Sequence, residues 1–272
     1  MATDSDINDI NNLGVRAQLL YTPNDKIKVV LAGDFTDQKP DGYGWGVAGV
    51  VKTQRAEYRQ FNNIIADLGY TIPYKSAFER KVDLDTKSQA GNQLGGVSLN
   101  GDFKLGNGTF TSTTAYRYWD WIPLNDRDYT GLPVFTISAG NSFHSQWSQE
   151  FRYSGKFTDK LSGVVGLFGL WQDLSTDPVH TEEAGSAQWR FAQNSNSPLW
   201  STPGLFDNYG IRTTYGIKST GLAAYTQFDW EILPKLHILP GLRYNYDKKV
   251  VNYQRLRYGG LQTSDPALLA LK

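Results

Sequence analysis

Four tight turns, each flanked on both sides by long stretches of alternating residues, constrain this chain more than any other feature. They are Pro23-Asn24-Asp25-Lys26, Gly106-Asn107-Gly108, Thr158-Asp159-Lys160 and Leu233-Pro234-Lys235, built from residue types that tolerate turn geometry. From His144 onward, Trp147, Gln149, Phe151 and Tyr153 share one face, and Gln146, Ser148, Glu150, Arg152 and Ser154 the other. After Lys235, Leu236, Ile238, Pro240, Leu242, Tyr244 and Tyr246 alternate with His237, Arg243, Asn245 and Asp247. Val97, Leu99, Gly101 and Phe103 alternate with Ser98, Asn100, Asp102 and Lys104 ahead of the second turn. The first hairpin repeats the pattern with Leu13, Val15, Ala17, Leu19 and Tyr21, then Ile27, Val29, Leu31 and Phe35. A period of two marks a strand with two different faces. The spacing predicts about eight strands in four hairpins, at 12–22, 27–36, 92–104, 109–121, 144–157, 161–173, 215–230 and 236–251.

Alternation alone also suits a soluble β-sandwich, so strand length decides between the two. Long polar segments near 37–91, 122–143 and 174–214 separate the hairpins, and loops of that size are uncommon in compact soluble domains. Tyr118, Trp147, Trp171 and Tyr246 each lie 10–12 residues from the nearest tight turn. At ~3.3 Å per residue that is about 36 Å of strand, or about 26 Å once tilted near 45°. An outer-membrane barrel has an apolar band ~25 Å tall that ends in aromatic girdles, with short turns on one side and long loops on the other. Sandwich strands are typically only ~5–6 residues. The sequence therefore predicts an all-β chain: an antiparallel transmembrane β-barrel section placed in an outer membrane, with membrane lipid as its first partner. No run reaches the ~18 apolar residues of a transmembrane helix, whereas the longest, Leu161 to Trp171, suits a membrane strand of ~9–11 residues.

Composition closes other routes. The 27 basic and 27 acidic residues cancel and the isoelectric point is near 6.8, so no nucleic-acid partner is expected. With 14% aromatics and no net charge the chain is not of the disordered type. It has no cysteine, which removes disulfides and thiolate metal sites. The first residues, Met1-Ala2-Thr3-Asp4-Ser5-Asp6, carry neither the basic nor the apolar region of a signal peptide.

One segment departs from the β pattern: Arg55 to Tyr70 places Tyr58, Phe61, Ile64, Ile65 and Leu68 at helical spacing, which predicts a short helix inside the first long loop. No enzyme is expected, and no cofactor. His144, His180 and His237 fall on different elements, and His180-Thr181-Glu182-Glu183 reads as solvated loop before it reads as a metal cluster. Asp126-Arg127-Asp128 ahead of Gly131 has half the spacing of a calcium loop and lacks its other ligands. Gly42, Gly44 and Gly46 have no helix after them to complete a phosphate cradle.

The polar faces are the better candidates. Arg117, Glu150, Arg152, Arg243 and Asp247 point into the lumen if the aromatic faces meet lipid. They either contact a plug or an anionic chelate, or form an ordinary wet wall with cross-strand ion pairs. Trp45, Tyr58, Trp189, Phe191, Trp200 and Tyr209 in the long loops either form an aromatic vestibule for a ligand or pack the loops against one another.

Three segments resemble a known family. Thr111-Ser112-Thr113-Thr114-Ala115-Tyr116-Arg117-Tyr118-Trp119-Asp120-Trp121, followed by Asn125-Asp126-Arg127-Asp128, is similar to a recurrent strand and loop of TonB-dependent receptor barrels. Trp147-Ser148-Gln149-Glu150-Phe151-Arg152-Tyr153-Ser154-Gly155 resembles the family's next strand. Ala224-Tyr225-Thr226-Gln227-Phe228-Asp229-Trp230, with Leu239-Pro240-Gly241-Leu242-Arg243-Tyr244-Asn245-Tyr246-Asp247-Lys248, is similar to a third. The three stand in the family's order and cover most of positions 92–251.

The resemblance implies a 22-strand barrel around an N-terminal plug, importing a ferric siderophore or similar nutrient with energy from the inner-membrane TonB complex. The sequence departs from that plan: no plug or coupling box precedes the strands, about eight strands are present, and the chain ends in Asp265-Pro266-Ala267-Leu268-Leu269-Ala270-Leu271-Lys272. All of residues 1–272 is therefore expected to be one partial barrel domain, a middle section whose coupling to TonB runs through the missing plug. A small independent outer-membrane barrel with an adhesive or structural role, or a gene relic, stands as the alternative.

Overall fold

The computed structural model describes residues 6–176, 180–191 and 195–272. Eleven strands form one antiparallel sheet: β1 (Asn12–Asn24), β2 (Ile27–Gln38), β3 (Gln89–Leu105), β4 (Gly108–Leu124), β5 (Phe135–Ala139), β6 (Ser142–Thr158), β7 (Leu161–Ser175), β8 (His180–Ala184), β9 (Gly210–Leu233), β10 (Leu236–Ile238) and β11 (Gly241–Tyr258). The eight long ones run side by side in the order β1-β2-β3-β4-β6-β7-β9-β11. These are the four expected hairpins, joined by the four expected turns. In the first, the Asn24 side chain accepts from the Lys26 backbone N–H at 2.9 Å, the local bond that suits asparagine to such corners.

The wall is built inside out. Register places Leu19, Leu31, Leu99, Tyr116, Trp147, Trp171, Leu222 and Tyr246 on one shared face. Much of that face is open: Trp147 is 53% exposed, Leu167 59% and Tyr244 70%. Aromatic rings close the band at both heights. Near the turns, Phe103, Phe110 and Phe151 form a chain with centroids 6.3 and 6.0 Å apart, and Phe157 meets Tyr153 and Phe228 at 5.7 and 5.5 Å. Near the loops, Tyr116 lies 5.0 Å from Trp147. An apolar face this open, bounded by aromatic rings at both ends, is larger than a sheet in water usually exposes.

Among the described residues β1 is hydrogen-bonded only to β2, and β11 only to β9. With an even number of long strands, these two edges run antiparallel.

Three expectations need correction. The strand expected over 236–251 is two: β10 ends at Ile238, and β11 begins at Gly241 and runs on to Tyr258. Pro240 has no N–H to donate, so the ladder breaks there, and its carbonyl still accepts from the Phe228 N–H at 2.9 Å. The helix expected over Arg55 to Tyr70 is a 3-10 turn, Glu57–Arg59, and a short helix α1, Phe61–Asp67. Gln60 between them is extended, and its side-chain amide bonds the Thr53 and Arg55 backbone in place of a helical ladder. Two short strands, β5 and β8, were not expected. They pair with each other, and β8 also pairs with the loop-side end of β9.

The buried core lies above the wall, in the loops. Leu132, Val134 and Ala187 are at its centre, with Ile65, Leu68, Tyr70, Phe135 and Phe191 packed around them. Helix α2 (Pro198–Ser201) and helix α3 (Pro266–Leu271) complete this cap, and the Tyr209 hydroxyl donates to the Lys272 carbonyl at 2.6 Å.

Candidate functional site

The inner face of the wall is polar and cross-linked. Arg117 on β4 makes a two-pronged bond to Asp34 on β2, at 2.7 and 2.8 Å. A strand lies between them, and its residue in line with both is Gly96. A Cβ there would sit 2.4 Å from the Tyr116 carbonyl and 3.1 Å from Arg117 Cγ. Glycine is what lets the arginine lean across.

The same device recurs farther along. Gly166 on β7 lies in line with Arg152 on β6 and Tyr225 on β9, and a Cβ there would be 2.3 Å from the Tyr225 ring. The tyrosine crosses over it and donates to Glu150 at 2.6 Å. Arg243 stacks on the Tyr225 ring at 5.6 Å and donates to Asn245 at 2.7 Å.

Of the five lumen candidates, Glu150, Arg152 and Arg243 thus gather around Tyr225. Arg117 stands apart with Asp34. Asp247 lies higher, against Gly221. Sequence reasoning missed Asp34 and Tyr225. The signal that would have found them is a glycine on the inner face of the strand between two polar partners.

The six loop aromatics pack mainly among loop residues. Trp200 meets Tyr58 and Trp189 edge-on at 5.9 and 5.6 Å, Phe191 joins the cap core, and Phe206 lies 5.3 Å from Tyr209. Arg190, 1% exposed, stacks over Trp200 at 4.6 Å and reaches Asp67 at the end of α1 at 2.6 Å. Trp45 is 70% exposed and meets the Tyr129 ring at 6.0 Å.

Three carboxylates converge in the same cap. Asp85, Asp126 and Asp128 bring oxygens within 4.8 Å of one another, joining the first long loop to the second. Burial is the largest cause of a raised pKa at each: Asp85 is pushed up to about 7 with help from Asp126 and Asp128, and Asp128 up to about 6. Asp126, fully buried, is raised as well. Its oxygens already accept from the N–H groups of Asp85, Thr86 and Tyr129, and those of Asp128 accept from Thr130 and Phe135. With so many lone pairs occupied, a shared proton satisfies the trio better than a cation needing six or more oxygens.

The two described histidine side chains, His144 and His237, do not converge. His144 stands opposite Trp119 at the loop end of β6, and His237 pairs with Asp229 at 2.5 Å at the turn end. The side chain of His180 lies outside the described residues. Arg127 forms an ion pair with Glu182, tying the second loop to the third.

No protein-family model and no curated protein matches the sequence. The fold is similar to the crystal structure of FyuA, the ferric yersiniabactin uptake receptor of Yersinia pestis, with a TM-score of 0.58 at 15% identity. The likeness covers 95% of this chain and 33% of the receptor, so the chain spans about a third of that protein's length.

Proposed function

We propose that this chain is a section of an outer-membrane TonB-dependent active transporter barrel, whose intact form imports a ferric siderophore or a nutrient of similar size. One observation carries the reading: an eight-strand arc with an outward apolar band between two aromatic belts, similar in fold over nearly its whole length to part of a ferric siderophore uptake receptor. The polar inner wall suits a water-filled passage, and the packed loop cap suits the outer mouth of one.

The free edges of β1 and β11 fit the same reading. An unpaired backbone N–H or C=O in hydrocarbon costs several kcal/mol, which is why membrane strands occur in closed sheets. An arc placed in a membrane therefore has both edges paired, by further strands of the intact protein or, when the chain is folded alone, by each other or by a second copy. Energy for uptake would come from the TonB complex through a plug elsewhere in the intact protein; this chain contributes wall and mouth, and no covalent chemistry.

Lipid quenching tests the membrane placement. The full chain is folded into liposomes with bromine-labelled acyl chains, and tryptophan fluorescence is read against label depth. Trp147 and Trp171 should be quenched from one interface and Trp230 from the other. Unquenched fluorescence at every depth would sink the reading. For transport, radio-iron uptake with a panel of siderophores is measured in cells carrying the complete locus or a deletion. Equal uptake in both would remove the nutrient assignment.

A further inference from the structure

Charge on this chain is balanced overall but not evenly placed. The loop-side half of the β9–β11 ribbon, residues 210–220 and 247–258, carries Arg212, Lys218, Lys248, Lys249, Arg255 and Arg257 against one carboxylate, Asp247. The unbroken register of this pair divides them by face. Lys218, Lys248 and Arg212 point outward, on the side of Tyr246. Lys249, Arg255 and Arg257 share the inner face with Arg243 and Tyr225.

The outward charges are partly met: Lys218 has Asp173 of β7 at 3.6 Å, whereas Lys248 and Arg212 have no ion-pair or hydrogen-bond partner among the described residues. Inward, the exposed side chains of Lys249, Arg255 and Arg257 have no ion-pair or hydrogen-bond partner among the described residues. The acids nearest in the sheet are engaged elsewhere: Glu183 holds the Tyr258 and Thr136 hydroxyls, and Glu182 pairs with Arg127. Tyr253, 64% exposed, sits on the same inner face, directly opposite Tyr215.

We infer that Arg255, Arg257 and Tyr253 form a binding strip for a small, multiply anionic ligand carrying an aromatic or other flat apolar part. Two residues apart on one face, the two guanidinium stems rise about 7 Å from each other, with the tyrosine about 7 Å below. Arginine presents a planar fork that takes carboxylate or phosphate oxygens two at a time, and a tyrosine face takes a flat ring.

Position along the strand argues against lipid phosphate as the source of the anion. Arg255 stands nine residues beyond Tyr246 of the belt, about 30 Å along the strand and roughly 20 Å above the apolar band once tilted. Lys218 and Lys248 stand at headgroup height, and they face the other way. The assignment rests on the transporter reading for the side of the membrane from which the ligand arrives.

The test uses the full chain folded in neutral detergent micelles at low ionic strength, with equilibrium dialysis against two probes. Benzene-1,3,5-tricarboxylate carries three carboxylates on a ring, and tricarballylate carries three without one. Saturable binding of both is expected. R255Q/R257Q should weaken both by at least about tenfold, as expected for loss of charge-assisted pairs, and added salt should weaken the wild type similarly. Tyr253→Ala should weaken the aromatic probe about threefold and leave the other unchanged. K218Q/K248Q should bind both as the wild type does.

Non-saturating uptake by the wild type, unchanged binding by R255Q/R257Q, or equal loss in K218Q/K248Q would each overturn the strip; the last result would mean diffuse charge attraction or a headgroup site. Far-ultraviolet circular dichroism confirms that each variant is folded. Membrane insertion, read by the quenching experiment above, fails or succeeds independently of probe binding, so loss of the transporter reading is distinguishable from loss of the strip.

Discussion

The wall and the cap of this molecule obey opposite solvent rules. In the wall, Leu167, Trp147 and Leu242 are exposed while polar and charged side chains bond one another across the inner face. In the cap, Leu205 is fully buried, and Leu132 and Val134 nearly so. Under the membrane reading proposed above, one is organised for hydrocarbon around it, the other for water. The contrast teaches that exposed apolar area is a defect only relative to a solvent. A substitution that is severe in one half should be mild in the other, and that expectation can be broken.

The largest effect is expected in the cap. Leu205→Ala leaves a cavity in a site with no exposure and should cost about 2–5 kcal/mol of local stability. It would be read as accelerated amide exchange in the loops while lipid quenching of the tryptophans stays unchanged. Loss of insertion in this variant would mean that wall and cap are not separable. Close behind comes Leu167→Arg in the middle of the outward band. A cation at that depth costs roughly 2–4 kcal/mol, so the folded, inserted fraction should fall in a urea titration on liposomes. If the band met water instead, the same change would be silent.

A smaller effect follows from the carboxylate trio. Asp85 and Asp128 hold protons in the folded cap that they release in the unfolded chain above about pH 4. The stability this contributes is complete below that pH, declines as pH rises, and is gone above about 7. Limited proteolysis of the loops should therefore be faster at pH 8 than at pH 5. Asp85→Asn should flatten the profile, and a pH-independent cleavage rate in the unaltered chain would remove the account.

The smallest effect belongs to the inner wall. Asp34→Asn breaks the pair with Arg117, but the two side chains are 31% and 49% exposed, and such pairs are worth ~0–1 kcal/mol. A change of that size in urea midpoint, shrinking in salt, sharpens the picture of a wet passage. A loss several times larger would mean that the inner face is dry.

The sequence by itself determined the hairpins, the turns and the outward face. Period-two alternation around Leu99, Trp147 and Tyr246, and turn residues such as Asn24, act within a few residues of themselves, so their geometry is written locally. It also set Arg117, Glu150, Arg152, Arg243 and Asp247 on the face opposite the aromatics. It could not say that Tyr225 would bridge to Glu150, or that Pro240 would divide a strand that resumes and runs on to Tyr258.

Tertiary structure alone decided the cap. Arg190 meets Asp67 from 123 residues away, and Asp126 accepts from the Asp85 N–H across 41. Contacts at such separations leave no period in the chain, because they arise only after the strands have fixed where each long loop begins and ends. Local chemistry set each strand's faces; the sheet, once assembled, chose which loops would bury one another.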